Sequence, residues 1–201
     1  MANSTPASPV VPFLRIAIVA LLAAHILAVL SPLRLNDDAV LLLQMTASAT
    51  DGRGINPPEL SSHLPIGYPL LLSAIERAGL LGQATIVIVN ILALFLGLAS
   101  AASLLERDLH LSRRAAYTCA LLTACSWVMV KHTPLAVTDV LFFGLALSCV
   151  WLLSTACRFV TTSATRTTAY WLTLLAALAL AAAATLVRTA GLALALPILF
   201  T

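Results

Sequence analysis

Apolar residues in this chain come in long unbroken blocks, not in strict alternation. Val11–Leu30, Ala84–Leu105, Ala115–Val130, Leu135–Cys157 and Ala169–Val187 are almost free of charge, and Ala190–Phe200 begins a sixth such segment. A bilayer core about 30 Å thick needs about 20 helical residues to cross it. Each long block therefore predicts a transmembrane helix. Ala115–Val130 is short for that task, and Lys131 stands where its side chain can snorkel to the surface. In hydrocarbon every backbone N–H and C=O must be satisfied within the protein, which leaves helices or closed barrels. Barrel strands alternate apolar and polar residues, and these blocks do not. The predicted fold is an all-α integral membrane protein of about five to six transmembrane helices.

Composition removes the soluble alternatives. The chain is 61% hydrophobic and 9% charged, against about 25% charged in a typical soluble domain. Eleven basic and eight acidic residues among 201 cannot cover a water-facing body of this size. The net charge of +3 is thinly spread, with no basic run of the kind that tracks nucleic acid. Cys119, Cys125, Cys149 and Cys157 lie in apolar blocks and form no C-x-x-C pair, so they read as small hydrophobes. The chain has no glycine-rich phosphate loop, Ser-His-Asp order or haem signature, which argues against a cytosolic nucleotide-sugar enzyme.

Residues 1–10 form a polar tail with Pro6 and Pro9, and residues 11–201 are expected to make a single transmembrane domain. Val11–Leu30 is read as an uncleaved first helix, because no A-x-A-like cleavage site follows it. Arg15 and His25 in that helix are expected to serve packing or the interface, and Gly97, Ala101 and Gly144 suit close helix contacts. With a cytoplasmic N-terminus, the loops Glu106–Arg114 and Arg158–Thr168 face the cytoplasm and carry Arg107, Arg113, Arg114, Arg158 and Arg166. The opposite face then receives Asp37, Asp38, Asp51, Glu59, Glu76 and Asp139, which outnumber Arg34, Arg53, Arg77, Lys131 and Arg188. The chain stops inside an apolar run, as expected of the N-terminal part of a longer protein.

The most informative stretch is the predicted external loop at residues 31–83. Asn36-Asp37-Asp38 precedes apolar or small residues at Ala39, Leu42, Leu43, Thr46 and Ala49, a helical spacing. Asn36 or Asp37 suits an N-cap, and acids in a first turn favour the helix dipole. Those structural roles account for one carboxylate more readily than for two. Asp51-Gly52-Arg53-Gly54 breaks the helix, and Asn56-Pro57-Pro58 predicts an extended piece. His63-Leu64-Pro65-Ile66-Gly67-Tyr68-Pro69 leads into a second short helix, Leu70–Ala78, with Gly79 as its C-terminal stop. Both short helices are expected along the outer interface, with Tyr68 as an interfacial aromatic.

This layout resembles the N-terminal portion of polytopic GT-C type glycosyltransferases, the relatives of protein mannosyltransferases and of the lipid A aminoarabinose transferase. Asn36-Asp37-Asp38-Ala39 looks like the acidic pair that opens the family's first external loop. His63 through Pro69, running on to Ser73, looks like its Gly-Tyr-Pro motif. Leu135–Phe143 resembles the start of a later helix, and Leu186-Val187-Arg188-Thr189-Ala190-Gly191 resembles an Arg-x-x-Gly junction. Val40-Leu41 departs from the aromatic that often follows the acidic pair.

The resemblance implies transfer of a sugar from a polyprenyl-phosphate donor to a lipid, glycan or protein acceptor on the outer face of a bacterial inner membrane. Asp37 is the expected base for the acceptor hydroxyl, with Asp38 to orient it or to bind a divalent metal. The acidic pair lacks a clear third ligand, so no metal or other cofactor is assigned. Arg188 is the first candidate for the departing phosphate, since an arginine in or beside a span calls for a partner. Lys131, Arg53, Asp139, His63 and Tyr68 complete the substrate-binding candidates, and His132 is expected near the same cleft. A membrane transporter component and a non-catalytic scaffold are the alternatives. A transporter would be expected to show two related halves, and the sequence shows no such duplication.

Overall fold

A computed structural model describes residues 16, 19–21, 23–25, 27, 33, 35–55, 64–162 and 168–196. Among the described residues the regular elements are all helices, with no strand. Of the first apolar block, Ile16, Val19–Leu21, Ala23–His25 and Leu27 are helical. Seven α-helices follow: α1 (Asp37–Thr50), α2 (Gly67–Arg77), α3 (Gln83–Arg107), α4 (Arg113–Ala124), α5 (Trp127–His132), α6 (Thr138–Thr162) and α7 (Thr168–Val187). A 3-10 helix at Thr189–Leu194 comes last.

α3, the Thr138–Phe159 part of α6, and α7 are long and apolar enough to cross a bilayer. Their outward faces fit that solvent: Ile88, Leu92 and Leu96 on α3 and Leu172, Leu175 and Leu178 on α7 are all exposed. In water such stripes would be an aggregation hazard. In lipid they cost nothing.

α3 and α6 run in the same direction and touch along their length. Gly97 lies against Phe143 and Gly144, and a Cβ on Gly144 would collide with the backbone of Ala93. The glycines are there because the two backbones approach too closely for a side chain. The Ser100 and Ser148 hydroxyls are 3.2 Å apart in the buried seam and share one hydrogen bond. α7 returns antiparallel to α6: Cys149 Sγ contacts the Ala177 carbonyl at 3.4 Å, and Cys149, Leu153, Ala177 and Ala181 share one apolar cluster.

Two helices with the same direction require the chain to return between them. The single span predicted at Ala115–Val130 is here two helices, α4 and α5, broken at Cys125–Ser126. Ser126 causes the break, since its extended backbone starts a new helix and its Oγ accepts from Met129 N. The sixth segment also differs from expectation. After Arg188, which is extended, the chain folds back as a 3-10 turn with Gly191 against the backbone of Ala184 and Thr185. Through Leu194 it does not start a new membrane-length helix.

α1 and α2 lie side by side in the same sense. Ala39 and Leu42 of α1 cluster with Tyr68 and Leu72 of α2. At the other ends, Thr50 Oγ1 donates to Glu76 Oε2 at 2.7 Å and Arg77 Nη2 donates to the Ala49 carbonyl at 2.8 Å. Both helices stop by the same device. Gly52 (φ 77°) and Gly79 (φ 72°) adopt left-handed turns. The paired hydrogen bonds Gly52 N–Ala49 O with Arg53 N–Ser48 O, and Gly79 N–Glu76 O with Leu80 N–Ile75 O, close two Schellman motifs.

Candidate active site

The antiparallel return of α7 brings the residue after it back to the start of α6. Arg188 Nη1 thus meets Asp139 Oδ1 in an ion pair. The second carboxylate oxygen, Oδ2, lies 3.1 Å from Nδ1 of His132, the last residue of α5. The Arg188 guanidinium also sits 6.0 Å from the centre of the Phe142 ring, one helical turn beyond Asp139. All three polar side chains are partly open, with 27% (His132), 38% (Asp139) and 48% (Arg188) of their surface accessible. Such exposed pairs add little to stability, roughly 0–1 kcal/mol. What they set is orientation. A guanidinium has five N–H donors, and one pairing leaves others for an incoming anion.

A buried clamp fixes the segment that carries His132 and Asp139. Asn90, fully buried in the apolar run of α3, donates from Nδ2 to the carbonyls of Thr133 (2.9 Å) and Leu135 (2.7 Å). Both amide hydrogens are then used, so Oδ1 faces inward as an acceptor. The complementary donor beside it is Tyr68, also fully buried. Neither Tyr68 Oη nor Asn90 Oδ1 has a hydrogen bond of ordinary geometry, although the two side chains are close enough for Asn90 to act on the phenol. Burial raises the Tyr68 phenol above its usual range, so it stays protonated. Tyr68 is therefore not the interfacial aromatic expected from sequence. It is an interior residue, drawn in because α2 packs under α1 and against the end of α7.

The remaining candidates are placed as follows. Asp37 and Asp38 occupy the first turn of α1 and are exposed, and Asn36 Oδ1 caps the helix by accepting from Ala39 N at 2.9 Å. Ala39, one residue further, shares an apolar cluster with Tyr68, Leu135, Ala136 and Val137. Gly67, beside Tyr68, presses on the backbone of Leu186 and Val187, with a hypothetical Cβ only 2.7 Å from Val187 N. The acidic turn and the Asp139–Arg188 pair are thus at one end of the bundle, linked by packing. Among the described residues no hydrogen bond or ion pair joins Asp37 or Asp38 to Arg188 itself.

Arg53 is elsewhere. It pairs with Asp51 at 2.8 Å in an exposed turn. The 14 residues of α1 hold that turn about 20 Å from Asp37. Lys131 is exposed at the end of α5, next to His132. His63 lies outside the described residues. Among the described residues no group of three or more His, Cys, Asp or Glu side chains converges as a metal site.

No protein-family model matches the chain, and neither does any curated protein or solved structure.

Asn90 and Phe142 were not singled out from sequence. Asn90 had a readable signal, an amide alone in the run Thr85–Gly97, where lipid makes an unpaired polar group costly. Phe142 had none, because an aromatic in an apolar helix is ordinary.

Proposed function

We propose that this chain is a membrane glycosyltransferase, or the N-terminal portion of one, that takes a sugar from a polyprenyl-phosphate donor. The supporting observation is the shared end of the bundle: two exposed acids open α1, and a partly exposed arginine closes α7, connected through Ala39, Tyr68 and Gly67. In this reading a carboxylate of the pair, Asp37 first, accepts the proton of the acceptor hydroxyl as the sugar–phosphate bond opens. Arg188, held by Asp139 and Phe142, offsets the charge left on the departing lipid phosphate. His132 keeps the second Asp139 oxygen occupied, so the carboxylate stays turned toward the arginine.

The same reading gives the topology. The first helix, α3, the α4–α5 pair, α6 and α7 each cross a bacterial inner membrane, with a cytoplasmic N-terminus. The end that carries Asp37, Asp139 and Arg188 then faces outward, where lipid-linked sugars are used. A transporter would call for charge in mid-span, whereas Asp139 opens α6 and Arg188 follows α7.

The test is sugar transfer from polyprenyl-phosphate donors by membranes containing the parent or Asp37→Asn. The reading expects loss of turnover in the variant, and equal turnover would remove Asp37 as the base. Arg188→Gln should weaken donor binding while leaving the amount of inserted protein unchanged. Unaltered donor affinity would remove Arg188 from phosphate recognition.

A further inference from the structure

The opposite end of the bundle carries a second amphipathic feature that sugar transfer does not use. An open apolar groove of about 180 Å³ runs between the first helix, α3 and α4, lined by Leu21, Phe95, Leu98, Tyr117, Leu121 and other apolar side chains. Tyr117 is both a wall of this groove and a platform for charge, since the Arg113 guanidinium lies 5.6 Å from the centre of its ring. Arg114 is the next residue, and both arginines are exposed. Three other arginines are held in ion pairs: Arg53 with Asp51, Arg158 with Asp108, Arg188 with Asp139. Among the described residues neither Arg113 nor Arg114 is in an ion pair within 4 Å, and the nearest acid acting on Arg113 is Glu106 at the end of α3.

We propose that this groove seats an acyl chain of an anionic phospholipid whose headgroup phosphate rests on Arg113 and Arg114. The two halves of the site match the two halves of the ligand. An apolar trough takes hydrocarbon, and the two adjacent exposed cations take a phosphodiester. Arginine suits this role because its planar fork can stack on Tyr117 and still offer N–H donors to phosphate oxygens. A zwitterionic lipid can fill the trough, but its headgroup brings no net charge to the arginines.

The full chain, purified in detergent and exposed to equimolar phosphatidylglycerol and phosphatidylcholine, is read by native mass spectrometry for retained lipid. The expected result is preferential retention of phosphatidylglycerol. The double variant Arg113→Gln/Arg114→Gln should lower that retention by about thirtyfold, in line with the loss of two cations at a lipid surface, and leave phosphatidylcholine unchanged. A second variant, Ala120→Phe, fills the groove with both arginines intact. It should also lower phosphatidylglycerol retention, which separates a seated lipid from simple attraction of phosphate to surface charge. Equal retention of the two lipids by the parent would overturn the proposal, as would unchanged phosphatidylglycerol retention in either variant at an unaltered thermal midpoint.

Discussion

Both ends of α6 carry a carboxylate paired with an arginine, and the two pairs differ in their second partner. At the N-terminal end of α6 Asp139 holds Arg188 with one oxygen and His132 with the other. At the opposite end Asp108 holds Arg158 with one oxygen and Ser154 Oγ with the other, the latter at 2.5 Å. The Asp108 cluster joins the last turn of α3 to two turns of α6 whose helices already run side by side. It is a latch. The Asp139 cluster joins three separate elements, α5, α6 and the junction after α7, where Arg188 itself is extended. It is held together by side chains more than by helix packing. The lesson is that the same ion pair can fasten two helices or present a charge, depending on what stands behind it.

What stands behind the Asp139–Arg188 pair is Asn90, and the largest expected effect follows from removing it. Asn90→Leu leaves the buried carbonyls of Thr133 and Leu135 without donors, at about 1–3 kcal/mol for each unsatisfied group. Thermal unfolding in detergent should show a fall in the midpoint of several degrees or more. Donor binding should fall with it, because the clamp positions the segment bearing His132 and Asp139. A variant as stable as the parent would show that the loop is held by packing alone.

A comparable effect is expected in the seam between the two ends. Gly144→Val forces a side chain onto the Ala93 backbone, and overpacking of this kind costs about 1–3 kcal/mol. Both clusters should loosen together, since α3 and α6 must separate. Loss at one end only would mean the ends are independent.

Smaller effects distinguish the latch from the presenting pair. Arg158→Gln should lower stability by no more than about 1 kcal/mol, because both partners are partly exposed, and should leave sugar transfer unchanged. The smallest effect is a pH dependence. Its hydrogen bond from Ser154 and then the charge of Arg158 hold the Asp108 carboxyl below its ordinary value of 3.8. A depressed carboxylate stabilises the fold above its unfolded pKa, and that contribution is lost as pH falls through the lower, folded value. Stability should therefore decline with acidification below about pH 3.8, and Asp108→Asn should remove that part of the dependence. A variant with the parent's acid profile would show that Asp108 is not the group responsible.

Sequence legibility followed the same division. Features set by local chemistry were readable: the Asn36 cap, the Gly52 and Gly79 stops, the extents of α3 and α7, and the close approach at Gly97 and Gly144. The meeting of Asp139 with Arg188 could be anticipated because one opens a span and the other closes the next. Features set by competition between neighbours were not readable. Hydropathy gives no signal for the break at Cys125–Ser126, because a serine cap costs little in composition and redirects a helix entirely. The burial of Tyr68 depends on α2 packing beneath α1, which no local pattern encodes. The fold-back after Arg188 depends on one glycine fitting against the end of α7.

On the proposed topology the acids of α1 and the arginine after α7 face the same side of one membrane, opposite the Arg113–Arg114 end. The most direct measurement replaces the four native cysteines with serine and introduces Asp38→Cys, Thr189→Cys or Arg114→Cys singly. Each variant is labelled in intact cells with a membrane-impermeant maleimide. The account predicts that positions 38 and 189 react without permeabilisation and that position 114 reacts only after it. Reaction of 38 and 189 from opposite sides would contradict the account.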